Sequence, residues 1–287
     1  MSRRQPRAAC TATGFLRLGV VLMLLLVPEP WGLTAPAVAQ WPSTDSRVFE
    51  PLARGQVNWT EGLIMGRASV SGSTRPAARL ATQQAAIREA RRHVLALLEH
   101  VRLNARQTLA EGLRHVATAP QQLAELAAQA EIVETRYQAG GAVETVVQVA
   151  MVGPLTALVM PPDASVRPDS DASSEAVHTG IVIDARGLAL QPAMLPNLVD
   201  ERGQPLYTPA SVGQEAAVQQ GYVAYARAFD QAPAQGRIGA RPLVLRALRV
   251  VDEARVDLVL SQADAARLRD YGATRRLLQQ CRVLIVM

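Results

Sequence analysis

One long amphipathic segment constrains the fold more than any other feature of this 287-residue chain. Its apolar side chains recur at the spacing of a single helix face, and its charged side chains lie mostly on the other faces. The apolar residues are Ile87, Ala90, Val94, Leu97, Leu98 and Val101. Because such a helix has to bury its apolar face, the pattern predicts a helix that packs on a second layer.

The segments on either side of this helix indicate what the second layer is. The stretch EGLIMGRASVSG before it is typical of a strand. Ser73 or Thr74 is predicted to cap the helix, with Pro76 in its first turn. Further helical segments are expected to about Gln129, with an interruption near Pro120.

Two strand-like segments, EIVETRYQ and AVETVVQVAMVG, flank Gly140 and Gly141 and predict a β-hairpin. In the second segment the apolar residues Val143, Val147 and Val149 share one face, and polar residues take the other. A strand, helices and a hairpin in this order predict a small antiparallel sheet covered by the long helix. We expect the helix and the hairpin to belong to the same packed layer.

A second unit is predicted after the stretch MPPDASVRPDSDASSEA, whose Pro, Ser and Asp residues are typical of a linker. Thr208 and Pro209 predict the start of a helix that runs to about Phe229. The stretches RPLVLRALRVVD and RVDLVLS predict a pair of strands, and CRVLIVM predicts a buried closing strand. Between them, Ser261 and Asp264 are spaced as a capping box for a helix from residue 262 to about residue 278.

These patterns predict an α+β protein of two small domains, each an antiparallel or mixed sheet packed with helices, after an N-terminal signal peptide. The expected boundaries are residues 1–39 for the signal peptide, 46–160 for the N-terminal strand-helix-hairpin domain, 161–176 for the linker and 177–287 for the C-terminal α/β domain.

The first 39 residues have the pattern of a secretory signal peptide. Three arginines in MSRRQPR precede an apolar run from Phe15 to Val27, and Ala37-Val38-Ala39 provides a cleavage site. An uncleaved membrane anchor is the alternative, although the run is short for a membrane span. Cleavage after Ala39 would lower the formal net charge from +5 to +2, which weakens the argument for nucleic-acid binding. We therefore expect a periplasmic or outer-membrane-associated protein with no nucleic-acid partner.

The two cysteines support neither a disulfide nor a lipid anchor. Cys10 precedes the apolar run, which is the wrong side for a lipid-modified cysteine at a cleavage site. Cys281 would then be the single cysteine of the mature chain, so no intramolecular disulfide is expected. Its apolar surroundings predict a buried, inert thiol. Membrane association stays open, without a lipidation site.

The stretch TGIVIDARGLALQP has the strongest appearance of an active site, because Asp184 and Arg186 follow an apolar strand directly. The same D-x-R-G pattern recurs at Asp200–Gly203, and Asp followed by Gly is typical of tight turns. The repetition favours a hairpin turn over chemistry at Asp184.

No catalytic, cofactor-binding or metal-binding residue is predicted, and the protein is expected not to be an enzyme. Zinc motifs such as HExxH and CxxC are absent, and His93 and His100 are seven residues apart, the wrong spacing for two ligands on one helix. A phosphate-binding loop with its lysine is excluded because the chain contains no lysine. A G-x-S-x-G nucleophile elbow is also absent. Arg88, Arg91 and Arg92 are interpreted as a solvated helix face, with an acidic partner or anionic headgroups as the alternative.

The stretches RPAARLATQQAAIREARRHVLALLEHV and EIVETRYQAGGAVETVVQVAMVGPL together resemble the N-terminal domain of bacterial envelope proteins. This group includes flagellar assembly proteins of the P and T types and a small outer-membrane lipoprotein antigen family. The stretch TGIVIDARGLALQPAMLPNLVDERGQPLY and the closing CRVLIVM resemble a segment found downstream of such domains. The resemblance implies a non-enzymatic role and provides no catalytic residues.

The sequence thus predicts a protein that acts in envelope or flagellar-type appendage assembly through protein-protein contacts. The partners would be envelope or appendage proteins, including further copies of the chain, bound through edge strands or helix faces. The alternative is a periplasmic small-ligand or glycan-binding protein with a cleft between the two units. A third possibility is a hydrolase in which His178, Asp184 and a serine converge.

Overall fold

A computed structural model of the chain describes residues 47–161, 178–228, 236–270 and 272–287. The predicted signal peptide lies outside the described residues, and so does the predicted linker apart from residue 161.

The described residues form two sheets, with helices packed on each. The strands are β1 Phe49–Leu52, β2 Gly55–Asn58, β3 Leu63–Val70, β4 Glu131–Tyr137, β5 Val143–Ala150, β6 Ile181–Asp184, β7 Leu198–Asp200, β8 Pro205–Tyr207, β9 Ala224–Ala226, β10 Leu243–Val250, β11 Leu258–Leu260 and β12 Val283–Val286. The helices are α1 Pro76–His100, α2 Leu109–Gly112, α3 Ala119–Ala128, α4 Pro154–Val159, α5 Gln214–Gln220, α6 Gln262–Asp270 and α7 Gly272–Gln279.

The first sheet is antiparallel, has the strand order β1-β2-β3-β5-β4 and is covered by α1. The predicted apolar helix face is confirmed: Ala90, Val94 and Leu98 are fully buried, and only Ile87 is half-exposed. The predicted hairpin is formed by β4 and β5. Helix and hairpin therefore share one packed layer, as expected.

The approach of α1 to β3 is close because residue 66 is a glycine. A Cβ atom at Gly66 would lie 2.6 Å from Val94 Cγ2 and 2.8 Å from the Ala90 carbonyl oxygen. The helix backbone thus rests directly on the strand, and no larger residue fits between them without a shift of the helix.

The predicted start of α1 differs from the structure, whereas the predicted interruption before α3 does not. Neither Ser73 nor Thr74 caps α1, because the N-cap residue is Arg75 and its side chain makes no capping hydrogen bond. The Ser73 hydroxyl instead accepts a hydrogen bond from the Arg75 backbone N–H, a local turn that competes with capping. The predicted interruption near Pro120 is found, because residues 113–118 are not helical and Pro120 lies in the first turn of α3.

The second sheet is mixed and has the order β8-β7-β11-β10-β6-β12-β9. Strand β6 is central and runs parallel to both neighbours, β10 and β12. The prediction of a hairpin turn after Asp184 is therefore wrong, since the next strand, β7, lies beyond β10 and β11. Residues Ile181 to Ile183 are all fully buried, which is typical of a central parallel strand covered on both faces. The second D-x-R-G turn does close a hairpin, between β7 and β8.

The helix predicted from Thr208 to about Phe229 is wrong. A short 3-10 turn at Pro209–Ser211 is followed by α5 and then by strand β9. Gly221 ends α5 with a φ of 81°, in the left-handed region that favours glycine. Phe229 lies outside the described residues.

The remaining elements of the second unit follow the predictions closely. Strands β10 and β11 pair antiparallel, and β12 is buried. The Ser261 hydroxyl accepts a hydrogen bond from the Asp264 backbone N–H at 3.1 Å, as the capping box predicted. The helix predicted from there to residue 278 is found as α6 and α7.

The two sheets share one hydrophobic core. The edge of the Trp59 ring packs on Tyr225, with ring centroids 5.8 Å apart. Backbone contacts join the same surfaces, because the Met194 and Leu195 N–H groups donate to the carbonyl oxygens of Arg102 and Leu103. The predicted fold class, α+β with an antiparallel and a mixed sheet packed with helices, is confirmed.

Candidate protein-interaction edge

Strand β4 is an edge strand of the five-stranded sheet, and among the described residues β5 is its single neighbour. Its sequence is EIVETRY, and most of its side chains are exposed or half-buried. An edge strand has one row of backbone N–H and C=O groups with no strand beside it, so another chain can pair with it. The other edge strand of this sheet, β1, carries Pro51, a residue that natural proteins use to discourage such pairing.

Three large apolar side chains are exposed along β4. Ile132, Val133 and Tyr137 are 44%, 48% and 47% exposed. Their exposure on an open edge is a stronger signal than isolated surface hydrophobics elsewhere, because strand pairing and apolar burial would occur together.

The face of β4 that points away from α1 is charged and continues a polar row across the sheet. Arg136 lies opposite Glu144 of β5, and Glu144 is bound at 3.1 Å by Arg67 of β3. Within β4, Arg136 also forms an ion pair with Glu134. One face of the edge is thus apolar and the other carries alternating charge.

Two depressions border the edge at its opposite ends. One has a volume of about 250 Å³ and lies beside Tyr137, Gly140 and Arg79. The Arg79 guanidinium lies 4.2 Å from the centre of the Tyr137 ring, and the Tyr137 hydroxyl donates to Gln83. The other, of about 260 Å³, lies beside Glu131. Side chains of an added strand would have room at both ends.

A β-bulge gives the edge a partial protection. The register with β5 shifts between Ile132 and Glu134, which leaves Val133 as the additional residue. Bulges at sheet edges increase the local twist and limit continuous pairing. The regular part of the edge therefore begins at Glu134 and continues to Tyr137.

Asp184 and Arg186 pair with each other at the carboxyl end of β6. Both carboxylate oxygens of Asp184 accept hydrogen bonds from the Arg186 side chain, at 2.8 and 2.7 Å, and Oδ1 also accepts from the Arg186 backbone N–H. The Arg186 guanidinium, opposed by partial burial of the carboxyl, lowers the pKa of Asp184 to about 2. These hydrogen bonds are all local, so the pair stabilises the turn that leaves the strand.

Asp200 is buried at the end of β7 and has a structural role. Burial by itself raises its pKa, but hydrogen bonds from Arg269 and from the backbone N–H groups of Gln204 and Arg202 outweigh it and lower the pKa to about 2. The ion pair with Arg269, at 2.8 Å, ties the β7–β8 hairpin to α6. The two D-x-R-G turns therefore share a sequence pattern but have different places in the sheet. The first follows an inner parallel strand, and the second closes a hairpin.

The histidines are used in the packing of α1. The His93 ring donates from Nδ1 to the Arg67 carbonyl oxygen at 2.6 Å and contacts Glu89 through Nε2. His100 donates to the Ala96 carbonyl oxygen one turn earlier. Among the described residues, no group of three or more His, Cys, Asp or Glu side chains is placed to hold a metal ion.

The grouping required for a hydrolase does not form around His178 and Asp184. His178 precedes β6 and Asp184 ends it, so the whole strand, roughly 10 Å long at about 3.3 Å per residue, lies between them. Asp184 is bound to Arg186 instead.

A buried cluster near β9 was not predicted from the sequence. Tyr207 stacks on Tyr222 with ring centroids 4.4 Å apart, and burial raises the pKa of both hydroxyls. Arg237 donates to the carbonyl oxygens of Gly221 and Cys281. Cys281 is fully buried, as predicted, and burial raises the pKa of its thiol.

The cavity between the two sheets is small. Its volume is about 40 Å³, and Trp59, Tyr222 and Tyr225 contribute to its lining. A water molecule occupies about 30 Å³ in the liquid, and pockets for small organic ligands have volumes of about 300–1,000 Å³. The cavity therefore gives no support to a ligand-binding cleft.

The exposed arginines of α1 are only partly solvated. Arg92 forms an ion pair with Glu89, and Arg91 donates to the Ala130 carbonyl oxygen at 3.3 Å. Arg88 is exposed. None of the helices within the described ranges is both long and apolar enough to cross a bilayer.

The C-terminal part of the chain is similar to a known protein family. Residues 180–287 match the family model described as Treponema pallidum Tp0624, second domain. This stretch contains strands β6 to β12 and thus the whole of the seven-stranded sheet. No curated protein matches the chain. Over these residues the chain is similar to that second domain, and the resemblance to flagellar assembly proteins stays a prediction.

Proposed function

We propose that this chain is a secreted, non-enzymatic protein that acts in envelope or flagellar-type appendage assembly by binding other proteins through the open edge of β4. The observation that carries the proposal is the coincidence of an unpaired sheet edge with three exposed apolar side chains, Ile132, Val133 and Tyr137. Partner strands would extend the five-stranded sheet and bury these side chains.

The composition of β4 supports a contact surface. Sheet edges are usually protected by proline, by inward-pointing charges or by a covering element. Strand β4 contains no proline, and its protections among the described residues are the bulge at Val133 and the charged side chains on one face. Exported location rests on the predicted signal peptide, and the assembly role rests on the resemblance of residues around α1 and the hairpin to envelope proteins.

A matched pair of valines provides the test. Val133 on the edge and Val244 on β10 are 48% and 50% exposed, so lysine is tolerated at both without loss of the core. Val133→Lys would place a charge where a partner strand has to pack. In cells that export the protein, we expect crosslinking of envelope fractions to yield protein adducts that Val133→Lys reduces at least tenfold and Val244→Lys leaves intact.

The identity of the adducts decides the biological part of the proposal. Envelope or appendage proteins, or further copies of the chain, in the lost adducts would support it. Adducts that survive Val133→Lys at wild-type yield would show that β4 is not the contact surface.

A further inference from the structure

We infer that the strand added to β4 is β4 of a second copy of this chain, paired antiparallel about a two-fold axis that passes midway between the two copies of Thr135. The inference rests on the proposed function, because it requires β4 to be a contact edge. The two five-stranded sheets would then form one continuous ten-stranded sheet.

Antiparallel pairing of a strand with itself allows few registers. Residues directly opposite each other lie on the same face of a sheet. In a symmetric pair, one central residue therefore lies opposite its own copy, and the two-fold axis passes between the two. Within the regular part of β4, the possible central residues are Glu134, Thr135 and Arg136.

Charge selects Thr135 among these three. With Thr135 at the centre, Glu134 of each copy lies opposite Arg136 of the other, which gives two ion pairs of opposite charge. With Glu134 at the centre, two carboxylates face each other, and with Arg136 at the centre, two guanidinium groups do so. Like charges directly opposite each other destabilise a sheet.

The charged row of the sheet continues through this register. Arg67, Glu144 and Arg136 alternate in sign across β3, β5 and β4 on the face away from α1. Glu134 of the second copy would add the next charge of the alternation. In the single chain, Glu134 and Arg136 form an ion pair within β4, and their side chains are 42% and 56% exposed. In the dimer, each would instead form an ion pair with the other copy.

The apolar face is complementary in the same register. Tyr137 of each copy reaches the bulge of the other, where Val133 is exposed to nearly the same extent as Tyr137 in the single chain. Pairs of an aromatic and a β-branched side chain are favourable across antiparallel strands. Thr135 lies opposite Thr135, a pair that is also favourable in sheets.

Charge exchange between copies tests the register. Glu134→Arg alone and Arg136→Glu alone each place like charges opposite each other twice, and we expect each to weaken dimerisation at least tenfold in sedimentation equilibrium of the purified full chain. An equimolar mixture of the two variants restores two opposite-charge pairs and is expected to form a heterodimer with close to wild-type affinity. Val244→Lys serves as the control and is expected to dimerise normally.

Arg136→Glu also places a second carboxylate opposite Glu144 of the same chain, which could prevent folding. A cysteine variant tests the register without this change of charge. In a Cys10→Ser background, Thr135→Cys is expected to form a disulfide-linked dimer under mild oxidation, because each residue 135 lies opposite its copy. Val244→Cys is expected to form no disulfide-linked dimer.

Two results would overturn the inference: a wild-type chain that stays monomeric up to millimolar concentration, or a heterodimer no tighter than the homodimers of the single variants. If Val133→Lys still abolishes adducts to other envelope proteins in that case, the proposed function stands and only the second copy is excluded.

Discussion

Gly66→Ala is expected to lower the free energy of unfolding by about 2–3 kcal/mol, because the added methyl overpacks the contact between α1 and β3. The new Cβ would lie 2.8 Å from the Ala90 carbonyl oxygen and 3.0 Å from the Val94 backbone nitrogen. Because these are backbone atoms, the added methyl has to move α1 as a whole. Urea denaturation followed by circular dichroism measures the change.

Gly272→Ala is the control for Gly66→Ala. A Cβ atom at Gly272, at the start of α7, would meet no atom within 4 Å, so we expect no loss of stability. Equal stability of Gly66→Ala and wild type would show that α1 does not rest on β3 at this distance.

Trp59→Ala is expected to lower the free energy of unfolding by about 3–5 kcal/mol, the range for removal of a large buried aromatic side chain. Trp59 is only 4% exposed. Its ring packs on Tyr225 in the second sheet, and its Nε1–H donates to Glu50 at 2.8 Å. The substitution therefore weakens the core that the two sheets share, and a single cooperative transition is expected to move to lower urea concentration.

Trp59→Phe separates the two contributions of this residue. It keeps an aromatic ring against Tyr225 and loses the hydrogen bond to Glu50, so we expect a clearly smaller loss than for Trp59→Ala. A common core would be contradicted if Trp59→Ala lowered the free energy of unfolding by less than about 1 kcal/mol. It would also be contradicted if the second sheet unfolded at the same urea concentration in the variant as in the wild type.

The first half of the fold was predictable from periodicity. The helix face from Ala90 to Val101 and the strand-like segments on both sides of Gly140 are properties of local sequence, and both are found. The helix start was predicted less well, because Ser73 bonds to Arg75 in a turn of its own.

The order of strands in the second sheet was not predictable in this way. Asp184 and Gly187 have the chemistry of a hairpin turn, but the partners of β6 come from residues about 60 and 100 positions later. The continuous apolar run before Asp184 was the sequence signal that indicated a parallel strand buried on both faces. Gly221 was likewise visible in the sequence as a residue that can end a helix. Helix α5 ends there even though the residues around it favour a helix.

The candidate site depends on strand order more than on any motif. The alternation of EIVETRY indicates a strand but does not show whether a neighbour lies on one side or on both. The structure places this strand at an edge and exposes Val133 and Tyr137 there. Edge-strand association was an expectation from the sequence, whereas the identity of the edge required the fold.

Hydrogen exchange along β4 tests the central claim most directly. Backbone amides of residues 131–137 would be compared between the dilute purified protein and the protein in envelope fractions, with β1 and β8 as the reference edge strands. The account predicts that outward-facing amides of β4 exchange at least tenfold more slowly in the envelope fraction while those of β1 and β8 do not change. Exchange of β4 at the same rate in both preparations would contradict it.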